Sequence, residues 1–221
     1  MTPDETIEAN DLEDLLVAGR NDYAGCTIAG DAAPNADLRD MTFAGCDMRG
    51  IGLRAADLSN GRWSDCRAQG IDLSNSRCDD ARFTGCDFAN SDWRDAILGA
   101  ARFENCRLTG ADMSGARLLG VSFTRCILAG ARLPGASFRK QTLVDVDFTD
   151  ADLGGVDFRD AVLTGCRLRG ASLKLARFAG ADLRGSELGS IGLAGLAGLR
   201  GAILSPTQAA DLLQEAGITV A

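Results

Sequence analysis

The residues in this chain with chemistry to offer are its cysteines and its aspartates. Seven of eight cysteines, Cys26, Cys46, Cys66, Cys86, Cys106, Cys126 and Cys166, fall on a spacing of 20, with Val146 filling the one gap. Regular thiols admit three readings: redox bonding, metal binding, or packing. Aspartates repeat on the same interval at Asp72, Asp92 and Asp112, with Asp95 beside them and Asp152 farther along, and Arg62, Arg82 and Arg102 form a basic counterpart. Neighbouring carboxylates can act as an acid and base pair, or as a row of fixed negative charge. The 221 residues include no histidine. Ser–His and Cys–His relays are therefore excluded, and the commonest neutral nitrogen ligand for a metal is missing.

What these side chains do depends on what holds them. A large apolar residue recurs at every fifth position, from Tyr23, Ile28, Leu38 and Phe43 through to Leu183, Leu188 and Leu193, with only Ala33, Ala68 and Cys78 small among the 35 centres. Two residues before each centre a small residue is usual, as at Cys46, Ala56, Ala81, Ala111 and Ala151. A period of five fits neither a helix nor a continuing strand, so each unit must contain a short extended piece and a corner. Alternation sends the small residue and the centre inward and the residue between them outward. Two positions after the centre, 17 of 35 units carry Gly, 5 carry Asn and 7 carry Asp, the residues that tolerate the positive φ of a corner.

Four five-residue sides close a square, so the 20-residue spacing is one turn. Phe43, Trp63, Phe83, Phe103 and Phe123 share it on one side, and Phe138, Phe158 and Phe178 on another. The expected fold is all-β: a right-handed quadrilateral parallel β-helix of about nine coils with strands about 4.8 Å apart. Its span is residues 21–204, between an N-terminal helical cap over 1–20 and a C-terminal helix and tail over 205–221.

In this frame the cysteines point inward with parallel side-chain vectors, which do not suit a disulfide, and Cys works well as a small buried hydrophobe. Packing is the preferred reading, and neither a metal nor a cofactor is expected. The aspartates face solvent, the glycines serve corners and not a phosphate loop, and the chain reads as a binding surface, not an enzyme. Outward-facing Ile97 and Leu119, and separately Val144 and Val162, are apolar exceptions that mark possible contacts.

Both ends carry helix signals. Thr2-Pro3-Asp4-Glu5 reads as a capping box before an apolar stripe of Ala9, Leu12, Leu15 and Leu16, with Gly19 as the stop. Ser205-Pro206-Thr207-Gln208 repeats the start signal, with Ala209, Leu212, Leu213 and Ala216 on one face, Gly217 as the stop, and Ile218-Thr219-Val220 beyond. Each helix is expected to close an exposed strand edge, with a partner-binding acidic arm as the alternative at the N-terminus.

The formal charge of −8 argues against direct nucleic acid binding, since phosphate neutralisation needs clustered Lys and Arg. The charge is uneven. Asp4, Glu5, Glu8, Asp11, Glu13 and Asp14 precede the first base, whereas residues 21–203 hold 23 acids and 22 bases. No apolar run reaches membrane-span length and the N-terminus lacks the pattern of a signal peptide, so the expected location is cytoplasmic, with reduced thiols.

Units such as Ala56-Asp57-Leu58-Ser59-Asn60 and Ala151-Asp152-Leu153-Gly154-Gly155 resemble those of the pentapeptide-repeat family. The stretch from Thr142 to Phe148, then Leu153-Gly154-Gly155, residues 163–168 and the C-terminal tail are similar to the MfpA and Qnr branch. That resemblance implies a DNA mimic that binds DNA gyrase, or another type II topoisomerase. It would modulate the enzyme or protect it from quinolones or a natural poison. The stacked column of Asp72, Asp92, Asp95, Asp112 and Asp152 roughly imitates a row of phosphates and is the candidate partner-binding surface, with charges that merely keep a solenoid soluble and laterally unpaired as an equal reading. It also implies a homodimer through Ala209, Leu212, Leu213, Ala216, Ile218 and Val220. Qnr proteins of Gram-negative bacteria carry loops that break the register, whereas this sequence shows none. A structural interaction scaffold with a different partner stays open beside this reading.

Overall fold

The computed structural model describes residues 5–31, 35–191, 197–215 and 217–219. The period of five becomes a four-sided parallel β-solenoid. Its first face is a nine-stranded sheet, each strand bonded to its counterpart in the next coil: β2 (Asp22–Ala24), β4 (Thr42–Ala44), β5 (Arg62–Ser64), β6 (Arg82–Thr84), β7 (Arg102–Glu104), β8 (Ser122–Thr124), β9 (Thr142–Val144), β10 (Val162–Arg167) and β11 (Asp182–Glu187). The second face starts with β1 (Thr6–Glu8) paired to β3 (Thr27–Ala29) and continues through Asp47, Arg67, Asp87, Arg107, Ile127, Asp147 and Arg167. The third runs from Gly52 through Asp72, Asp92, Asp112, Arg132 and Asp152 to Ser172, and the fourth from Asp37 to Arg177.

Every centre from Leu38 to Leu188 is buried except the half-buried Leu173. Corner residues behave as their position requires: each fifth residue from Gly25 to Gly180 has a positive φ. That includes Ala55, Ala100, Arg125, Lys140 and Leu175, at φ 59°, 54°, 52°, 61° and 63°, none of which favours it. Closing the square on both neighbours outweighs the local preference.

Inside, aromatic rings stack along the axis, with Phe83, Phe103 and Phe123 at 4.7 and 5.0 Å and Phe138, Phe158 and Phe178 at 5.4 and 5.0 Å between centroids. Such stacks add to the burial that makes each coil stable only against its neighbours.

The ends differ in part from expectation. The N-terminal segment is not helical throughout: Thr6–Glu8 is strand, burying Ile7 beside Ile28, and helix follows only as a 3-10 turn at Ala9–Asp11 and α1 at Leu12–Val17. An open sheet edge offers more main-chain partners than a helix packed on it, so the chain first adds a strand. Thr2, Pro3 and Asp4 lie outside the described residues. Gly19, at φ 84°, ends α1 with Gly19 N–H donating to Leu16 and Arg20 N–H to Leu15, and Arg20 returns to grip Glu5 at 2.6 Å.

At the other end α2 (Pro206–Glu215) opens as expected: Ser205 Oγ accepts from Gln208 N–H at 3.1 Å, and Gln208 Oε1 accepts from Ser205 N–H at 2.8 Å. The Gln208 amide also donates to the carbonyls of Leu183 and Ser186, closing the last coil. The register is not seamless at the extremes. Asp31 pairs with Gly52 and Asp182 with Ile203, each one residue beyond the usual spacing. Expected centres Ala33 and Leu193 lie outside the described residues.

Candidate interaction surface

All eight thiols are buried and unbonded. Each ladder thiol points at main-chain oxygens, as Cys106 Sγ does at Phe83 O (3.3 Å) and Glu104 O (3.4 Å). Ser186 continues the ladder, its hydroxyl donating to Leu163 O at 3.0 Å. Burial pushes the Cys78 thiol up to about 12 and raises Cys26 and Cys166, suppressing the reactive thiolate at these positions; Cys126 is shifted down by its hydrogen bond from Cys106, and burial is what shields it. The cysteines are core.

The outward aspartates are more than solvated charge. Their Oδ1 accepts the N–H two residues ahead, at 2.9 Å in Asp72 to Ser74 and Asp112 to Ser114, and 3.1 Å in Asp152 to Gly154. One carboxylate oxygen thus holds the coming corner. Where the residue two after such an Asp is Arg, the guanidinium folds back onto the same carboxylate, as in Asp37–Arg39, Asp47–Arg49, Asp92–Arg94, Asp157–Arg159 and Asp182–Arg184. Arg159 holds the Asp157 carboxyl down at about 2.

The third face brings Asp72, Asp92 and Asp112 into register, one strand apart, with Asp95 at the adjoining corner and Asp152 two coils past Asp112. The row is not purely acidic. Arg132 takes the position between Asp112 and Asp152 and binds Asp112 at 2.9 Å, and Arg94 clamps Asp92, lowering its carboxyl below the usual range.

On the first face Arg62, Arg82 and Arg102 stand in register and exposed, and no ion pair among the described residues engages them. On the second face the outward residues alternate in sign and bind across coils, Arg67 to Asp47 at 3.3 Å, Arg107 to Asp87, and Arg167 to Asp147 at 3.5 Å. That alternation from coil to coil is visible in the sequence and is the signal missed there. The faces therefore differ in kind: one basic, one self-neutralised, one acidic with two arginines.

Of the expected apolar exceptions, Leu119 is 86% exposed and Val162 40%, whereas Ile97 and Val144 are half-buried; Ile127, at 45%, joins them. At the C-terminus Leu212 is buried against the last coil, while Leu213 and Ile218 are exposed and Ala209 is half-buried. Ala216 and Val220 lie outside the described residues.

No relative among curated proteins is matched. Among solved structures, a trypsin-treated form of QnrB1, a plasmid-mediated fluoroquinolone resistance protein, is 25% identical with a TM-score of 0.69, covering 99% of each chain. A second trypsin-treated form is 27% identical with a TM-score of 0.68, covering 90% of this chain and 97% of that one. Full-length QnrB1 is 24% identical with a TM-score of 0.69 over 97% and 95% of the two chains. The family model for pentapeptide repeats, in arrays of eight copies, matches overlapping stretches from residue 51 to residue 189. With more than half of its length matched, its coils stacked in register and its corners in place, the chain belongs to the pentapeptide-repeat family.

Proposed function

We propose that this protein is a DNA mimic that occupies the DNA-binding surface of a type II topoisomerase of the gyrase class, modulating it or protecting it from quinolones or a natural poison. The observation that carries this reading is the likeness to QnrB1 along essentially the whole of both chains. A rod of stacked coils about 40 Å long presents carboxylates at regular intervals, as a phosphate backbone does. On the third face the Oδ1 of Asp72 and of Asp152 serves the corner, and no ion pair among the described residues neutralises either carboxylate. Work of this kind is binding and calls for no catalytic group. A homodimer through the C-terminal helix and tail, with the exposed Leu213 and Ile218 contributing, doubles the rod, and the cytoplasm is where its target would lie.

A supercoiling assay with purified gyrase tests it. Excess protein is expected to inhibit supercoiling or relieve quinolone-stabilised cleavage, and reversing Asp72, Asp92 and Asp112 to Lys together is expected to weaken the effect. An inert protein at excess overturns the reading.

Arg94 and Arg132 on the acidic row, and the near balance of charge across the solenoid, favour a second reading: a scaffold whose faces bind a different protein. A pulldown that recovers another partner while gyrase stays unbound selects it.

A further inference from the structure

From Asp37 to Arg177 each coil bonds to the next through the same main-chain groups, with one exception. Leu98 N–H donates to Arg117 O and Ala100 N–H to Leu119 O, both at 2.9 Å; two coils later Phe138 N–H donates to Asp157 O at 2.9 Å and Lys140 N–H to Arg159 O at 3.0 Å. Between those coils the equivalent bonds from Leu118 to Ser137, Gly120 to Arg139, Ser137 to Ala116 and Thr142 to Val121 are all absent, as is the one from Gly115 to Pro134 at the bordering corner. The bridge that should join Arg117 to Ser137 is missing, and β8 and β9 pair only at Thr124 and Val144. The middles of the third and second sides stay closed, with Met113 N–H on Arg132 O at 2.8 Å and Leu128 N–H on Asp147 O at 2.7 Å. The rod is wedged open along its fourth face.

The core accounts for the wedge. On the fourth face the centres are Leu98 and Leu118 before it and Phe138 and Phe158 after it; on the first face Phe103 and Phe123 give way to Leu143 and Leu163. The bulky column changes sides between these two coils, so their planes cannot stay parallel at one strand spacing.

The opening has a volume of about 620 Å³ and is lined by Leu118, Leu119, Ala136 and Gln141 with Arg117 and Arg139; Arg139 reaches back to the exposed Asp160 at 3.5 Å, a surface pair that a bound carboxylate would have to replace. That size suits a bound ligand. Leu119 stands 86% exposed at its mouth. Main-chain donors and acceptors released from a parallel ladder are a template for an added strand.

We propose that this wedge binds an extended acidic segment of a partner polypeptide. The segment's main chain takes up the amides and carbonyls that the neighbouring coil leaves, an apolar side chain covers Leu119, and carboxylates meet Arg117 and Arg139. The site lies on a different face from the acidic row and does not depend on the topoisomerase reading.

Fluorescence anisotropy of the full chain with a short labelled peptide of alternating Asp and Leu tests it, beside a Lys and Leu counterpart and a labelled oligothymidine. The acidic peptide is expected to bind saturably, and Leu119→Glu and Arg139→Glu each to weaken it by about tenfold. In hydrogen exchange on the unaltered protein, the amides of Leu118 and Ser137 are expected to exchange fast alone and slowly with the peptide, while those of Leu98 and Asp157 stay slow throughout. Absence of saturable binding, equal binding of the basic peptide or the oligonucleotide, or unchanged affinity in both variants overturns the proposal. So does protection of Leu118 and Ser137 without peptide.

Discussion

The side-chain oxygen of Asp145 lies directly over the α-carbon of Gly165 in the next coil, where any Cβ would collide with it. The same stacking of a corner Asp on a corner Gly recurs at Asp95 and Gly115, Asp150 and Gly170, and Asp160 and Gly180. The choice of Gly at a corner thus answers two demands, the positive φ and the carboxylate above.

These two demands separate by mutation. Gly165→Ala meets both, at φ 66°, whereas Gly130→Ala at φ 65° meets only the backbone one, having nothing within 4 Å of its new carbon. Gly130→Ala is expected to cost about 1 kcal/mol and Gly165→Ala about 2 kcal/mol. Urea midpoints of the two variants check this, and equal losses would remove the role given to Asp145.

Acid should act through Asp157. Its side chain is 8% exposed, with Arg159 at 2.7 Å and Arg177 of the next coil at 3.0 Å, and its carboxyl sits at about 2. An unfolded Asp titrates near 4, so the folded chain holds fewer protons between these values. The stabilisation is full above about pH 4 and lost as pH falls through about 2. With both arginines partly in solvent, Asp157→Asn is expected to cost about 1 to 2 kcal/mol at neutral pH. The gap between variant and parent should close by about pH 2; a gap that is the same at both pH values would contradict the ion-pair assignment.

The thiols should be silent until the coils separate. An aromatic disulfide reagent at neutral pH is expected to find essentially no reactive thiol in the folded protein and all eight after denaturation. Fast reaction of several thiols in the folded state would mean that the ladder is exposed.

The exposed side of α2 separates assembly from capping. In the proposed dimer, Leu213→Glu or Ile218→Glu should give a soluble monomer by light scattering with the melting temperature nearly unchanged. Leu212→Glu buries a charge against the last coil and should lower melting instead. A dimer that survives both of the first two changes would place the interface elsewhere.

Much of this was legible in the linear order of residues. Large centres, small residues two before them and corner residues two after them are local features repeated at a fixed interval, and repetition alone closes the square. The capping box of Ser205 and Gln208 was equally readable, because it involves four consecutive residues. The start of the N-terminal cap was not: Thr6–Glu8 becomes strand only because the sheet edge at Thr27–Ala29 is waiting for it.

Residue order by itself therefore determined which side chains point inward, where the chain turns, and which charges share a face. Only the stacked structure decided how those charges are used. Asp92 and Asp112 share a face with Asp72, but the arginines that answer them come from the adjoining corner in one case and from the next coil in the other. The wedge at Leu118 and Ser137 belongs to the same class. No single coil is irregular there; the opening arises because the bulky column moves from Phe123 on one face to Phe138 on another, and coils whose stability lies in their contacts register such a shift only when stacked.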